Sequence, residues 1–239
     1  MQEKILLIED DLELATIMTL QLQQLALDVT AVSTLNEAQR ALQHHHFALT
    51  ILDLTLPDGD GLSLCGQLRL CYPTMAIVLT TAKSSELDRI LGLEMGADDY
   101  ICKPFSLREF QARIKVQLRR IALLTTPSQP SPHNRIHLGC FELDSLSHEV
   151  HIQGKQLSLT ATEFELLHFF AKHPNQVFSR AQLLDSVWGY LHDGYEHTVN
   201  SHINRLRLKL TELGMHDLIL TVWGVGYKFN DKQLRRGAA

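Results

Sequence analysis

The chain alternates short apolar runs with amphipathic stretches. Lys4-Ile5-Leu6-Leu7-Ile8 predicts a buried strand. Leu14, Ile17, Met18 and Leu25 share one face of a helix expected from about Leu12 to Leu25. The same alternation continues with a strand at Val29 to Val32, a helix at Asn36 to Gln43 and a strand at Leu49 to Asp53. A helix at Leu62 to Leu70 and a strand from Ala76 to Leu79 come next. Glu86 to Met95 predicts a helix stopped by Gly96, followed by a strand at Tyr100 to Cys102 and a last helix at Leu107 to Leu123. Five such alternations predict a doubly wound, five-stranded parallel sheet.

The pattern then changes. Thr125 to Arg135 carries three prolines and no apolar period, as a linker does. Phe141 to Leu159 reads as short strands around a Gln153-Gly154-Lys155 turn. Thr160-Ala161-Thr162-Glu163 and Ser179-Arg180-Ala181-Gln182 are capping boxes. Leu159 with Phe164, and Phe178 with Leu183, are placed to staple them. A third helix is expected from about Glu196 to Leu213, and Thr221 to Phe229 as a glycine-turned hairpin. Strands, three helices and a terminal hairpin describe a winged helix-turn-helix. The expected divisions are 1–122, a linker at 123–135 and a second domain at 136–231.

Composition adds three limits. No apolar run approaches the roughly 20 residues of a membrane helix, and no signal peptide is expected ahead of the first strand. Cys65, Cys71, Cys102 and Cys140 form no metal-ligand pattern, which suits reduced thiols in the cytoplasm. Residues 1–122 hold 11 Lys and Arg against 16 Asp and Glu, and the remainder holds 11 of each, so the second half is the less acidic.

The first half concentrates its chemistry at strand ends. Glu9, Asp10, Asp53, Thr81 and Lys103 each follow the C-terminal end of an expected parallel strand, so they should converge on one edge of the sheet. Taken alone, Asp53 would read as a turn or cap carboxylate. Clustered carboxylates repel unless a cation sits among them, and oxygen-only ligands suit Mg²⁺. A lysine and a hydroxyl beside them suit a transferred phosphoryl group. His44-His45-His46 cannot all face one way on a helix or strand, and reads as a solvated helix end rather than a metal or pH site.

These residues resemble the receiver domain of two-component response regulators. The resemblance is carried by Ile8-Glu9-Asp10-Asp11, Leu52 to Pro57, Leu79 to Lys83, Gly96 to Tyr100 and Lys103-Pro104-Phe105. It implies phosphorylation of Asp53 by a sensor histidine kinase. It implies Mg²⁺ held by Asp10, Asp53 and the Thr55 carbonyl, with Glu9 acting through water. Lys103 and Thr81 would contact the phosphate, with Ala82 small beside it and Tyr100 swinging inward. It also implies a cis Lys103-Pro104 bond, and a phosphorylation-dependent homodimer through Arg89, Asp98, Asp99, Glu109 and Arg113. Thr55 stands where the family often has methionine, and with Lys83 it flanks the path of attacking water.

On the third helix of the second half, Val199, Ile203, Leu206 and Leu210 form one apolar stripe. Opposite lie His197, Ser201, Asn204 and Arg205, with Leu208; Thr198, Asn200, His202, Arg207 and Lys209 flank them. That face is either solvated or presented to a DNA major groove. This half resembles the OmpR/PhoB-type DNA-binding domain through Leu159 to Phe164, Ser179 to Leu183, Thr198 to Arg207 and Gly224 to Phe229. The resemblance implies promoter DNA as partner, Trp223 and Tyr227 on the wing, and a loop from Trp188 to Tyr195 facing RNA polymerase. His197 and Trp223 stand where arginine is common, which weakens phosphate attraction. Trp223 either caps the hairpin tip or folds back as core.

The expectation is a cytoplasmic transcriptional regulator, not an enzyme. A dehalogenase-type phosphatase would need a second carboxylate two residues after Asp53, where Thr55 stands. A binding module that is never phosphorylated would not need the full set Glu9, Asp10, Asp53, Thr81 and Lys103.

Overall fold

A computed structural model describes residues 3–82, 91–125, 135–189 and 196–235. The chain forms two compact units, Met1–Leu118 and Arg119–Ala239, so the division falls inside a helix. Most of the expected linker lies outside the described residues.

In the first unit β1 (Lys4–Ile8), α1 (Leu12–Gln23), β2 (Asp28–Val32), α2 (Leu35–His44) and β3 (Leu49–Asp53) follow one another. β4 (Thr55–Leu56), β5 (Gly59–Asp60), α3 (Gly61–Cys71), β6 (Ala76–Thr81), β7 (Asp99–Cys102) and α4 (Leu107–Thr125) complete the set. The five long strands pair in parallel in the order β2-β1-β3-β6-β7. All of β3 and β6 is buried, because helices cover both faces of a parallel sheet. The strand order reverses between β1 and β3, and the crevice outside their C-terminal ends is where such sheets bind ligands.

Local chemistry sets the turns around that crevice. Asp11 caps α1 by accepting from the amides of Glu13 and Leu14, and Asp60 caps α3 through Leu62 and Ser63. The two-residue ladder of β4 with β5 has no signal in the sequence pattern; it turns the chain back directly after Asp53. A Cβ on Gly61 would lie 2.6 Å from the Asp53 carbonyl oxygen, so this return needs glycine. Of the helix expected at Glu86 to Met95, residues 83–90 lie outside the described part; 91–94 are helical, and Gly96 follows at φ +120°.

The second unit opens with an antiparallel sheet of β8 (Arg135–Leu138), β9 (Phe141–Asp144), β10 (Glu149–Ile152) and β11 (Lys155–Gln156), in the order β11-β10-β9-β8. Then come α5 (Ala161–Lys172), β12 (Val177–Phe178), α6 (Arg180–Val187), α7 (Glu196–Glu212), β13 (Ile219–Val222), β14 (Gly226–Phe229) and α8 (Lys232–Arg235). Both capping boxes close as the sequence predicts: Thr160 with Glu163 starts α5, and Ser179 with Gln182 starts α6. Phe141, Phe164, Phe170, Val199, Ile203 and Phe229 share one core. The expected hairpin is part of a three-stranded sheet, because β12 pairs with β14. Two residues are too few to show a strand period, so β12 is decided by its partner.

Candidate functional site

The ends of β1, β3, β6 and β7 bring the expected acidic pocket together. Ligand oxygens of Glu9, Asp10 and Asp53 lie within 4.8 Å of one another. Glu9 and Asp53 are buried, whereas Asp10 faces solvent. The Lys103 ammonium donates to Asp53 Oδ2 at 2.6 Å and to both Glu9 oxygens at 2.7 and 2.8 Å. Asp53 Oδ1 accepts from the Thr55 amide at 2.9 Å, so the β4 turn orients the carboxylate. Thr81 is buried at the end of β6, Tyr100 is turned inward, and Ala82 is exposed beside the pocket. The Lys103-Pro104 bond is cis. A groove lined by Leu14, Ala82, Lys103, Pro104 and Phe105 opens alongside.

Among the described residues three carboxylates face a single ammonium, so this part of the pocket is short of positive charge. Burial pushes the Glu9 carboxyl up to about 7; the Lys103 hydrogen bond opposes this and the Asp53 charge adds to it. Burial alone would lower Lys103, but its bonds and attraction to Asp53 and Glu9 hold the ammonium above its ordinary value. An all-oxygen donor set that lacks positive charge fits a hard divalent cation such as Mg²⁺. In the structure Glu9 meets Lys103 directly.

The expected dimer residues are placed unevenly. Arg89 lies outside the described residues. Asp98 is not a surface group: it is 1% exposed, and its Oδ2 accepts from Arg69 at 2.7 Å and from the Ile77 amide at 3.0 Å. Asp99 and Arg113 are buried too, at 2% and 4% exposed, and Asp99 and Glu109 both pair with Arg113 within the chain, at 3.3 and 2.9 Å.

In the second unit the structure divides the expected DNA-facing set. His197 and Asn204 are exposed on α7, and Asn200, Arg205 and Arg207 are half-buried. Thr198, Ser201 and His202 do not belong to an outer face; all three are buried. The buried arc of α7 is wider than its aliphatic stripe because Trp188 packs edge-on against His202, with ring centroids 5.0 Å apart. His202 Nδ1 also lies 2.8 Å from the Thr198 carbonyl. Lys209 is likewise committed inside the domain, donating to Glu163 Oε2 at 2.7 Å and to the Ser158 carbonyl at 3.0 Å. The residues 190–195 of the loop expected to face RNA polymerase lie outside the described part.

Tyr227 is a brace, not a surface group. It is 5% exposed, and its hydroxyl donates to Asn200 Oδ1 at 2.8 Å. The guanidiniums of Arg180 and Arg207 each sit 5.5 Å from its ring. Arg207 donates to the Ile219 carbonyl and Thr221 hydroxyl, tying α7 to the wing. Arg180 Nε donates to the same Asn200 oxygen at 2.8 Å. Sequence reasoning missed Arg180, which carries no signal beyond its place in the capping box. Trp223 resolves to the hairpin tip, 91% exposed, before Gly224 at φ +74°.

Comparison with known proteins agrees with both halves. The response regulator receiver domain matches residues 5–115, and the family described as transcriptional regulatory protein, C terminal, matches residues 154–229. The chain is 40% identical over 236 residues to the transcriptional regulatory protein SrrA of Staphylococcus aureus, covering 97% of each. Among solved structures, a RitR mutant aligns with a TM-score of 0.68 at 26% identity, over 95% of this chain and 99% of that one. DrrB, an OmpR/PhoB homologue of Thermotoga maritima, aligns with a TM-score of 0.52 at 29% identity, over 96% and 100%. Receiver and winged-helix DNA-binding folds in this order, with relatives matched along nearly the whole length, place the chain among the OmpR/PhoB-type response regulators, the transcriptional regulators of two-component systems.

Proposed function

We propose that Asp53 accepts a phosphoryl group from a phosphohistidine of a sensor kinase, and that this controls binding of the second domain to promoter DNA. The observation that carries the proposal is the Lys103 ammonium 2.6 Å from a nearly buried Asp53 carboxylate. An Asp53 oxygen attacks phosphorus, the phosphorus–nitrogen bond breaks, and the imidazole leaves and takes up a proton. Lys103 is positioned to balance the phosphoryl charge, and the Thr81 hydroxyl to donate to a phosphoryl oxygen. Glu9, Asp10, Asp53 and the Thr55 carbonyl would hold Mg²⁺, which when bound supplies positive charge for the transferred group.

On this reading the protein acts in the cytoplasm by binding rather than by turnover. The receiver is 1–122, the linker 123–135 and the effector domain 136–231. His197 and Asn204, exposed on α7, and the half-buried Arg205 would face a major groove with Trp223 at the wing, and Asn200 would offer its amide nitrogen, because its Oδ1 accepts from Tyr227 and Arg180. Arg89, Asp98, Asp99, Glu109 and Arg113 would exchange partners across a phosphorylation-dependent homodimer, for which the buried Asp98, Asp99 and Arg113 must leave their present partners, and the Trp188 to Tyr195 loop would face RNA polymerase. Incubation with acetyl phosphate and Mg²⁺ should add one base-labile acyl phosphate to the protein and none to Asp53→Asn. Phosphate retained by that variant would overturn the assignment.

A further inference from the structure

The outer face of the β8–β11 sheet carries residues that DNA recognition and phosphorylation leave unused. Phe141, Leu143, Val150 and Ile152 of β9 and β10 point into the core. The alternate residues point outward in two cross-strand rows. In one, Arg135, Asp144 and Glu149 are directly opposite one another. In the other, His137 and His151 both stand opposite Glu142, one from each side. Opposed residues of an antiparallel pair have Cβ atoms about 4.5–5.5 Å apart. Two imidazoles therefore flank one carboxylate across three adjacent strands. His137 Nδ1 already lies 3.7 Å from Glu142 Oε1. The face is hollowed into a cavity of about 140 Å³, lined by these three residues and by the second row.

The second row biases the charge. Arg135 donates to Asp144 at 2.8 Å and is thereby committed to that carboxylate. Glu142 and Glu149 add two further carboxylates around the cavity, attracted to Arg135 through space, with His137 beside Glu142. Imidazole with carboxylate is the donor set of borderline metals such as Zn²⁺, not of Mg²⁺.

We propose that His137, Glu142 and His151 form a second cation site, for a divalent transition metal of the zinc class, on the outside of the winged-helix domain. Side-chain rotation must gather the donors, since among the described residues only Glu9, Asp10 and Asp53 bring three ligand atoms within 4.8 Å. His137 and Glu142 can rotate because each side chain is 58% exposed. The occupied site fastens the edge strand β8 to β9 and β10, and so raises the stability of the sheet by linkage.

The test uses the full chain, reduced, with excess Mg²⁺ to occupy the acidic pocket. Zn²⁺ affinity is read by competition with a fluorescent indicator. The protein is compared with His137→Gln/His151→Gln and with a control, His45→Gln/His46→Gln, which removes two histidines of the exposed run. Wild type and control should bind one high-affinity equivalent. The first variant should bind it about tenfold more weakly or worse, as loss of metal-supporting groups does. Circular dichroism confirms that each protein is folded, and Zn²⁺ should raise the melting temperature of wild type but not of the first variant. Equal Zn²⁺ affinity in the first variant, or loss confined to the His45/His46 variant, would overturn the site.

Discussion

Replacing Trp223 by arginine tests whether the wing touches DNA backbone. Trp223 is 91% exposed, so the substitution removes no packing, and folding stability should change by no more than about 0.5 kcal/mol. Its neighbours Gly224 and Val225 are also exposed, so the new guanidinium projects from the tip of the β13–β14 turn. The remainder of the chain beyond residue 122 holds equal numbers of basic and acidic residues, so one added charge is a large fractional change in its attraction to phosphate. Each phosphate neutralised releases condensed counterions and steepens the slope of log K against log salt by about 0.9. Over a rise from about 50 to 200 mM salt, that makes Trp223→Arg lose about 3.5-fold more affinity per monomer than wild type. At the low end of the range it should bind more tightly. The assay is fluorescence anisotropy on duplex DNA of arbitrary sequence, since the effect does not depend on base readout. Trp223→Ala should bind more weakly, with the slope little changed. A Trp223→Arg slope equal to that of wild type, with melting unaltered, would refute contact between the wing tip and the backbone.

Lys209→Met removes the cation facing the fully buried Glu163 and should lower stability by about 1–3 kcal/mol in urea. The salt slope of DNA binding should not change; a slope reduced by a whole contact would return Lys209 to the DNA face. Gly226→Ala places a Cβ 2.0 Å from the Phe178 carbonyl oxygen, so it should break the pairing of β12 with β14. The expected cost is about 1–3 kcal/mol or more, and an unchanged melting temperature would contradict it. Burial, with the Lys172 charge adding, pushes the His168 imidazole from its ordinary 6.5 down to about 4. The unfolded chain therefore binds the extra proton between those values. Stability from this residue is full above pH 6.5 and declines as pH falls toward 4. Urea midpoints at pH 7 and pH 5 should differ less for His168→Gln than for wild type; equal differences would count against the burial argument.

Whatever depends on neighbours along the chain is legible in the residues alone. The apolar runs at Lys4–Ile8 and Leu49–Asp53 and the 3.6-residue spacing of the helices carry their own period, and they give the order of a doubly wound sheet. That order places Glu9, Asp53 and Lys103 at strand ends, which brings them to one crevice before any coordinate is known. The two capping boxes are equally local, since donor and acceptor lie three residues apart. Burial and ion pairing are not local, because they depend on which surface the fold lays against a side chain. Asp98 carries no local signal of burial, and it is Arg69, on α3, that holds it inside the fold. His202 and Lys209 had the spacing of an outer face, but Trp188 covers one and Glu163 captures the other. Arg180 acquires a role only where Asn200 and Tyr227 converge on it from two other elements. A helical period fixes the angle at which a side chain leaves its axis, and the neighbouring element decides whether that direction meets water, an ion-pair partner or the core.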